Sequence, residues 1–389
     1  MAAKKKKTKK TAKKARRSRK PAVDPFYPLH PVFSGEYQKS KDPPKRGRWI
    51  DTGSMSQSRY FQKSVLLKDG RIMVAGGQGP EHMLETVEIW DADSGQWSPT
   101  GSMQQYRVAH TLVLLASGKV LAAGGFLDKS AEIWTASDGK WSAAKDLPGP
   151  TWGQSQAPLP DGRVLVIGGM TNQGYAEQGP MPDALVFNPK SRSWKKVAGL
   201  PYLVGNLSTT PLADGRVLVS GGRELRATGQ YVFFKLGLIF NPKTNKWKET
   251  GRMRSARSLH TLTLLADGRV LAAGGEDRKG FLKTSEVMDP KSGRWRKLAP
   301  MNERRRSHTA TLLFDGRVLV TGGENQRGSL SSTELWDPKT RAWTPAAPMK
   351  KQRSCHTANL LPDGRVLIVG GRRSLAKESA TRDAAIWEA

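Results

Sequence analysis

An all-β fold, seven four-stranded units closed into a ring, is predicted by three features of the sequence. First, a glycine pair recurs seven times, each time at the end of a short apolar run: Gly76-Gly77, Gly124-Gly125, Gly168-Gly169, Gly221-Gly222, Gly274-Gly275, Gly322-Gly323 and Gly370-Gly371. The first glycines are 48, 44, 53, 53, 48 and 48 residues apart. Second, a hairpin signal precedes every pair, and third, a tryptophan strand follows most of them. A period of roughly 40–50 residues made of short strands is the mark of a β-propeller.

The sixth unit shows the order of elements. Ala310–Phe314 reads as a strand and Asp315-Gly316 as a two-residue hairpin turn, because both residues tolerate positive φ. Val318–Thr321 is the second strand and ends at Gly322-Gly323. After a variable polar loop, Glu334-Leu335-Trp336 is the third strand, closed by Asp337-Pro338, and the fourth is centred on Trp343. The other units repeat the hairpin at Asp69-Gly70, Ser117-Gly118, Asp161-Gly162, Asp214-Gly215, Asp267-Gly268 and Asp363-Gly364. Their fourth-strand tryptophans are Trp97, Trp141, Trp194, Trp247 and Trp295. The seventh unit stops at Ile386-Trp387 and lacks this strand, whereas Arg48-Trp49-Ile50 precedes the first unit as an orphan. The orphan is expected to complete blade seven and so remove two open sheet edges.

Residues 1–45 are set apart. The first 20 carry twelve basic residues and no acid: Lys4, Lys5, Lys6, Lys7, Lys9, Lys10, Lys13, Lys14, Arg16, Arg17, Arg19 and Lys20. Such a segment cannot bury enough apolar surface to offset its ordering entropy, so a disordered arm is expected, Pro-rich in its second half. The propeller is assigned to residues 46–389. The chain carries +30, of which the arm's first 20 residues hold +12, leaving a body that is also basic. The single cysteine, Cys355, excludes an internal disulfide and fits a reducing compartment. No apolar run approaches the ~18 residues of a membrane span. A cytoplasmic monomer is expected, nucleoid-associated or, in a nucleated cell, nuclear.

With seven copies in register, residues 46–389 resemble the kelch-repeat family. The resemblance rests on the glycine pair, the downstream aromatic strand (Trp90, Trp134, Phe187, Phe240, Trp336) and the spaced tryptophan. The form L-x-D-G-R-V-L-x-x-G-G is similar to kelch repeats of bacterial proteins. Membership implies a funnel-shaped binding scaffold rather than one activity, since the family includes interaction modules, copper oxidases and sugar epimerases. The copper branch implies a crosslinked Tyr–Cys pair with two histidines, and no tyrosine partner for Cys355 is identifiable from the sequence. No cofactor, metal site or catalytic residue is assigned.

Between blades, methionine is followed by arginine four positions on and histidine seven positions on. The sets are Met103, Arg107, His110; Met253, Arg257, His260; Met301, Arg305, His308; and Met349, Arg353, His356. Blade one keeps Met55 and Arg59 with Gln62 for histidine. Near-equivalent copies read most simply as structural contacts between adjacent blades. Blades three and four break the pattern, and Trp152, Gln154, Tyr202 and Asn206 there form a candidate polar-aromatic pocket. On the side of blades five to seven the same face gathers Arg252, Arg254, Arg257, Arg304, Arg305, Arg306, Lys350, Lys351, Arg353, Arg372 and Arg373. This candidate basic face, with the arm, points to a polyanion such as DNA or RNA, bound without sequence preference. The expected function is therefore a non-enzymatic scaffold. The alternatives are a carbohydrate-modifying or oxidising enzyme with its site in the funnel, and a protein–protein adaptor.

Overall fold

The computed structural model describes residues 46–170, 184–200, 204–226 and 228–389. The arm and Tyr202 lie outside the described residues. Seven four-stranded antiparallel sheets form the blades. Blade one comprises Lys63–Leu66, Ile72–Ala75, Val87–Trp90 and Trp97–Thr100. Blades two to six follow the same order, with first strands starting at Thr111, Ser155, Ser208, Thr261 and Thr309. The first strands of successive blades adjoin one another around the whole ring and so line the central channel.

Blade seven is composite. Thr357–Leu360, Val366–Val369 and Ala384–Glu388 come from the end of the chain, and Arg48–Asp51 supplies the outer strand. Its register places Trp49 opposite Trp387, as Trp97 lies opposite Trp90 in blade one. The Trp49 indole N–H donates to the Ala347 carbonyl at 2.7 Å, and Arg48 pairs with Glu388. Two other spaced tryptophans do the same work: Trp97 bonds Gly53 O at 2.7 Å and Trp141 bonds Gly101 O at 2.8 Å. These three tie their blades to the connection arriving from the previous one, while Trp343 reaches the Ser285 hydroxyl on the third strand of blade five at 3.1 Å.

The core is divided among the seams between blades. One cluster joins Ile72, Val74 and Trp90 of blade one to Leu367, Val369 and Ile386 of blade seven, and six further clusters each span the next pair. The apolar second strand, buried on both faces, is why every blade carries a Val/Leu/Ile run before its glycines.

The hairpin turn differs from the two-residue type I′ expected. In blade one, Gly70 N–H bonds Leu67 O at 3.2 Å and Leu67 N–H bonds Arg71 O at 2.8 Å, with only the glycine at positive φ. The aspartate instead accepts from the arginine two residues on. These Asp-Gly-Arg turns pair internally at 2.6–2.7 Å, so the face that carries them is locally neutral. On the opposite face, two-stranded hairpins rise from the glycine-pair loops of blades four to six (Arg223–Leu225 with Tyr231–Phe233, Glu276–Asp277 with Gly280–Phe281, Glu324–Asn325 with Gly328–Ser329).

Candidate functional site

The Met-Arg-His sets are clamps between blades. The Arg305 carbonyl accepts the Gly275 N–H of the preceding blade at 2.8 Å, and its guanidinium donates to Gly322 O of its own blade at 2.6 Å. The same guanidinium meets Glu334 of the third strand at 2.8 Å. The His308 ring packs against Gly274 of the preceding blade. A Cβ on that glycine, which sits at φ +62°, would lie 2.7 Å from the ring and 2.6 Å from the Arg305 carbonyl. The pair is glycine because two chains cross there. Gln62 and Gln154 occupy the histidine's place in blades one and three, each donating to a carbonyl of the neighbouring blade at 2.8 and 3.1 Å.

Burial holds these rings neutral. It pulls His308 down to about 3, helped by the nearby Arg305 charge, and pulls His110, His260 and His356 well below the usual range. A folded-state pKa below that of a free histidine means the unfolded chain takes the proton first. The stabilisation is therefore complete above about pH 6.5 and is lost as pH falls towards 3. His308→Gln, which copies blades one and three, should lower the slope of stability between about pH 6 and 4 by ~1.4 kcal/mol per pH unit. Urea unfolding at stepped pH measures it, and an unchanged slope would mean that His308 accepts its proton while folded.

At the channel mouth a belt of backbone bonds runs from blade to blade. Phe61, Ala109, Gly153, Asn206, Leu259, Ser307 and Cys355 all have positive φ. Six bonds of 3.0–3.3 Å link them head to tail, and the step from Gly153 to Asn206 has no such bond among the described residues. Above the belt the mouth is divided. On blades one to three it is apolar, with Phe126 and Trp152 edge-to-face at 5.9 Å and Tyr60 beside Phe61. On blades four to seven it is an arc of alternating charge. Arg223 bonds Glu276 at 2.5 Å, Arg306 bridges Glu276 and Glu324, and Arg372 bonds Glu324 at 3.0 Å.

The candidate pocket assembles in part. Trp152 exchanges backbone bonds with Met170 at 3.1 and 2.9 Å, and the Asn206 amide reaches the Met170 sulfur at 3.6 Å. Gln154 is buried in the clamp and does not join them. Tyr202 is outside the described residues.

The eleven residues of the basic face separate into groups. Arg257 and Arg305 are buried clamp residues closed off by Glu286 and Glu334, and Arg353 is buried too and reaches only a cavity, which corrects the assignment of all three to the open surface. Arg306 and Arg372 are spent in the mouth arc. Lys350 pairs with Asp51 at 2.5 Å, while Lys351 and Arg373 pair with Asp383 at 2.8 and 2.6 Å. Burial pushes the Asp383 carboxyl up, but Lys351, Thr381 and Arg373 outweigh it and hold the group at about 2. Arg304 donates to Phe281 O.

Arg252 and Arg254 remain, and they face two arginines that sequence reasoning missed. A cleft of about 480 Å³ at the rim of blade five is lined by Gly251, Arg252, Arg254, Arg294, Trp295 and Arg296. All four arginines are exposed, and among the described residues none has a carboxylate partner. Strand alternation explains the pair: Trp295 points into the seam, so Arg294 and Arg296 share the outer face. The Arg-Trp-Arg triplet was the available signal, hidden because the tryptophan was read only as packing. The cleft thus brings together four guanidiniums without carboxylate partners among the described residues, the side chain whose planar fork matches phosphate and carboxylate geometry.

The buried Cys355 thiol is not held as a thiolate. Burial pushes the Cys355 thiol up to about 11, although its neighbour Arg372 opposes this. Nor do the residues fit a copper centre of the oxidase kind. The four clamp histidines sit one to a blade, and among the described residues no three His, Cys, Asp or Glu side chains converge. Among the described residues, no helix is long and apolar enough to cross a membrane.

Comparison with known proteins agrees with this geometry. A family model described as the KLHDC2/KLHL20/DRC7 kelch-repeats domain matches residues 161–371, more than half of the chain. Kelch-like protein 36 of Rattus norvegicus and of Mus musculus are each 33% identical over 104 residues, which is 27% of this chain and 16% of the relative. Beta-scruin of Limulus polyphemus is 29% identical over 101 residues, 25% of this chain and 11% of that protein. The chain thus spans only a small part of the curated relatives it matches. Among solved structures, a fungal alcohol oxidase of the AA5 family in complex with copper superposes with a TM-score of 0.70 at 17% identity, over 89% of this chain and 76% of that one. The structure of YjhT gives 0.58 at 19% identity, over 72% and 94%. Likeness at such identity shows the fold alone. With its seven glycine-pair blades and the match across more than half its length, the chain belongs to the kelch-repeat family.

Proposed function

We propose that this kelch propeller is a non-enzymatic interaction scaffold that engages a polyanion, DNA or RNA, through blade five and the basic arm. The observation that carries the reading is the cleft of Arg252, Arg254, Arg294 and Arg296, four cations without carboxylate partners among the described residues. Of the other nine residues of the basic face, Arg304 donates to the Phe281 carbonyl and the rest are paired with acids or buried, which favours a local site over a whole half-face. The arm's twelve charges add contacts that need no fixed structure. A protein partner suits the mouth, where an apolar arc adjoins a charge-paired one. A monomer in the cytoplasm fits the same reading.

Duplex DNA binding at graded salt tests it on the full chain, on a chain starting at residue 46, and on the full chain with all four arginines changed to serine. Each phosphate contact contributes about 0.9 to the slope of log affinity against log salt. The four substitutions should therefore lower the slope by roughly 3.6, and loss of the arm should lower it further. Weak affinity without a salt slope would overturn the proposal. Tighter binding to single-stranded RNA than to duplex DNA would name the polyanion.

A further inference from the structure

Blade seven departs from the others at one buried position. In four blades the clamp arginine meets a glutamate of the third strand: Arg59–Glu88 at 2.8 Å, Arg107–Glu132 at 2.7 Å, Arg257–Glu286 at 2.7 Å and Arg305–Glu334 at 2.8 Å. The second carboxylate oxygen accepts the backbone N–H of the residue after the methionine. These donors are Ser56, Gln104, Arg254 and Asn302, at 2.7–2.8 Å. One guanidinium and one loop N–H thus make a fixed receptor for a single carboxylate. Blades three and four have dropped the arrangement whole, with Thr151 and Val204 for arginine and Leu185 and Leu238 for glutamate.

Blade seven keeps the receptor and lacks the carboxylate. Arg353 is present and 3% exposed. Ala385 stands opposite Ile368, the register that Glu334 holds opposite Val320. Arg353 Nη1 donates to the Gly370 and Asp383 carbonyls, both at 3.2 Å. Among the described residues, Nη2, the atom that meets glutamate in the other blades, has no acceptor, and neither has the Lys350 N–H. A cavity of about 260 Å³ lies at this point, lined by Trp49, Thr52, Ser54, Arg353 and Ala385, with Lys350 and Lys351 at its rim. The two acids that reach the rim, Asp51 and Asp383, are paired with Lys350, Lys351 and Arg373, and neither bridges to Arg353. A buried cation without a partner is costly, so an incoming anion gains what the internal glutamates gain elsewhere.

We infer that this cavity binds a carboxylate, one oxygen on Arg353 Nη2 and the other on the Lys350 N–H, in place of the glutamate side chain that blade seven lacks. The carboxylate comes from a free organic acid or from an acidic side chain of a partner protein. Thermal shift and calorimetry on the full chain test this with acetate, N-acetylglutamate α-amide, phosphate and chloride at fixed ionic strength. Saturable binding of acetate or the glutamate amide is expected, with dissociation constants on the order of 1–10 mM. Ala385→Glu, which fills the receptor from within, should weaken that binding at least tenfold and raise the midpoint without ligand. Ala385→Gln should block by volume alone, and serves if the glutamate variant fails to fold. Tighter binding of the amide than of acetate points to a protein side chain, and equal binding to a free acid. Carboxylate binding that is the same in the wild type and in a folded residue-385 variant overturns the inference. So does preference for phosphate over both carboxylates, or no saturable response below about 50 mM.

Discussion

Arg305→Met should destabilise the propeller by about 3–5 kcal/mol, because it leaves Glu334 charged and buried without its guanidinium. The glutamate keeps its bonds from the Asn302 and Glu303 N–H groups, which places the loss towards the lower end. The second half of the prediction is recovery. Glu334→Leu in the same chain should restore stability to within about 1 kcal/mol of wild type, since buried ion pairs are often replaceable by apolar side chains of similar volume. Blade four already holds that solution, with Val204 in the arginine's place and Leu238 in the glutamate's. A double-mutant cycle in urea measures the coupling, expected at about 2 kcal/mol or more. Additive losses would show that the two residues do not act as a unit.

Trp49→Ala should cost about 2–4 kcal/mol, set by a half-buried indole that packs on the blade-seven seam and bonds Ala347. Removing residues 1–51 should do more, lowering the melting temperature by roughly 5–10 °C. It strips the outer strand from blade seven and bares the edge of Ala384–Glu388. Removing residues 1–45 leaves every contact described here in place, so its melting temperature should match that of the full chain. Equal melting of the two truncations would show that the ring does not depend on its N-terminal strand.

Much of this architecture was legible because each blade repeats the same local solution. Seven glycine pairs in register disclosed the blades, and the missing tryptophan of the last one disclosed Trp49. The clamp role of the histidines was legible for the same reason, as repetition argues for structure. The turn was misjudged because Asp-Gly serves both a two-residue hairpin and a longer loop with glycine alone at positive φ. The site was harder. Arg257, Arg305 and Arg353 look like surface cations in sequence, and only the third-strand glutamates explain how the first two lie inside, while Arg353 lies inside without one. Those glutamates are present or absent together with the arginine in six blades, a pairing visible only when strands far apart in sequence are set side by side. Arg294 and Arg296 were overlooked because charge was sought in loops and not on the outer strand.

The borrowed strand of blade seven also sets a timetable for synthesis. Arg48–Asp51 leaves the ribosome before any of the blades it closes, yet its partner is Ala384–Glu388. Roughly 330 residues separate them, on the order of 20–70 seconds of translation at 5–20 residues per second. Throughout that time the nascent ring stands open, with an unpaired strand at one end and an unfinished blade at the other. Blades one to six can stack as they emerge, but the final seal waits for Ala384–Glu388.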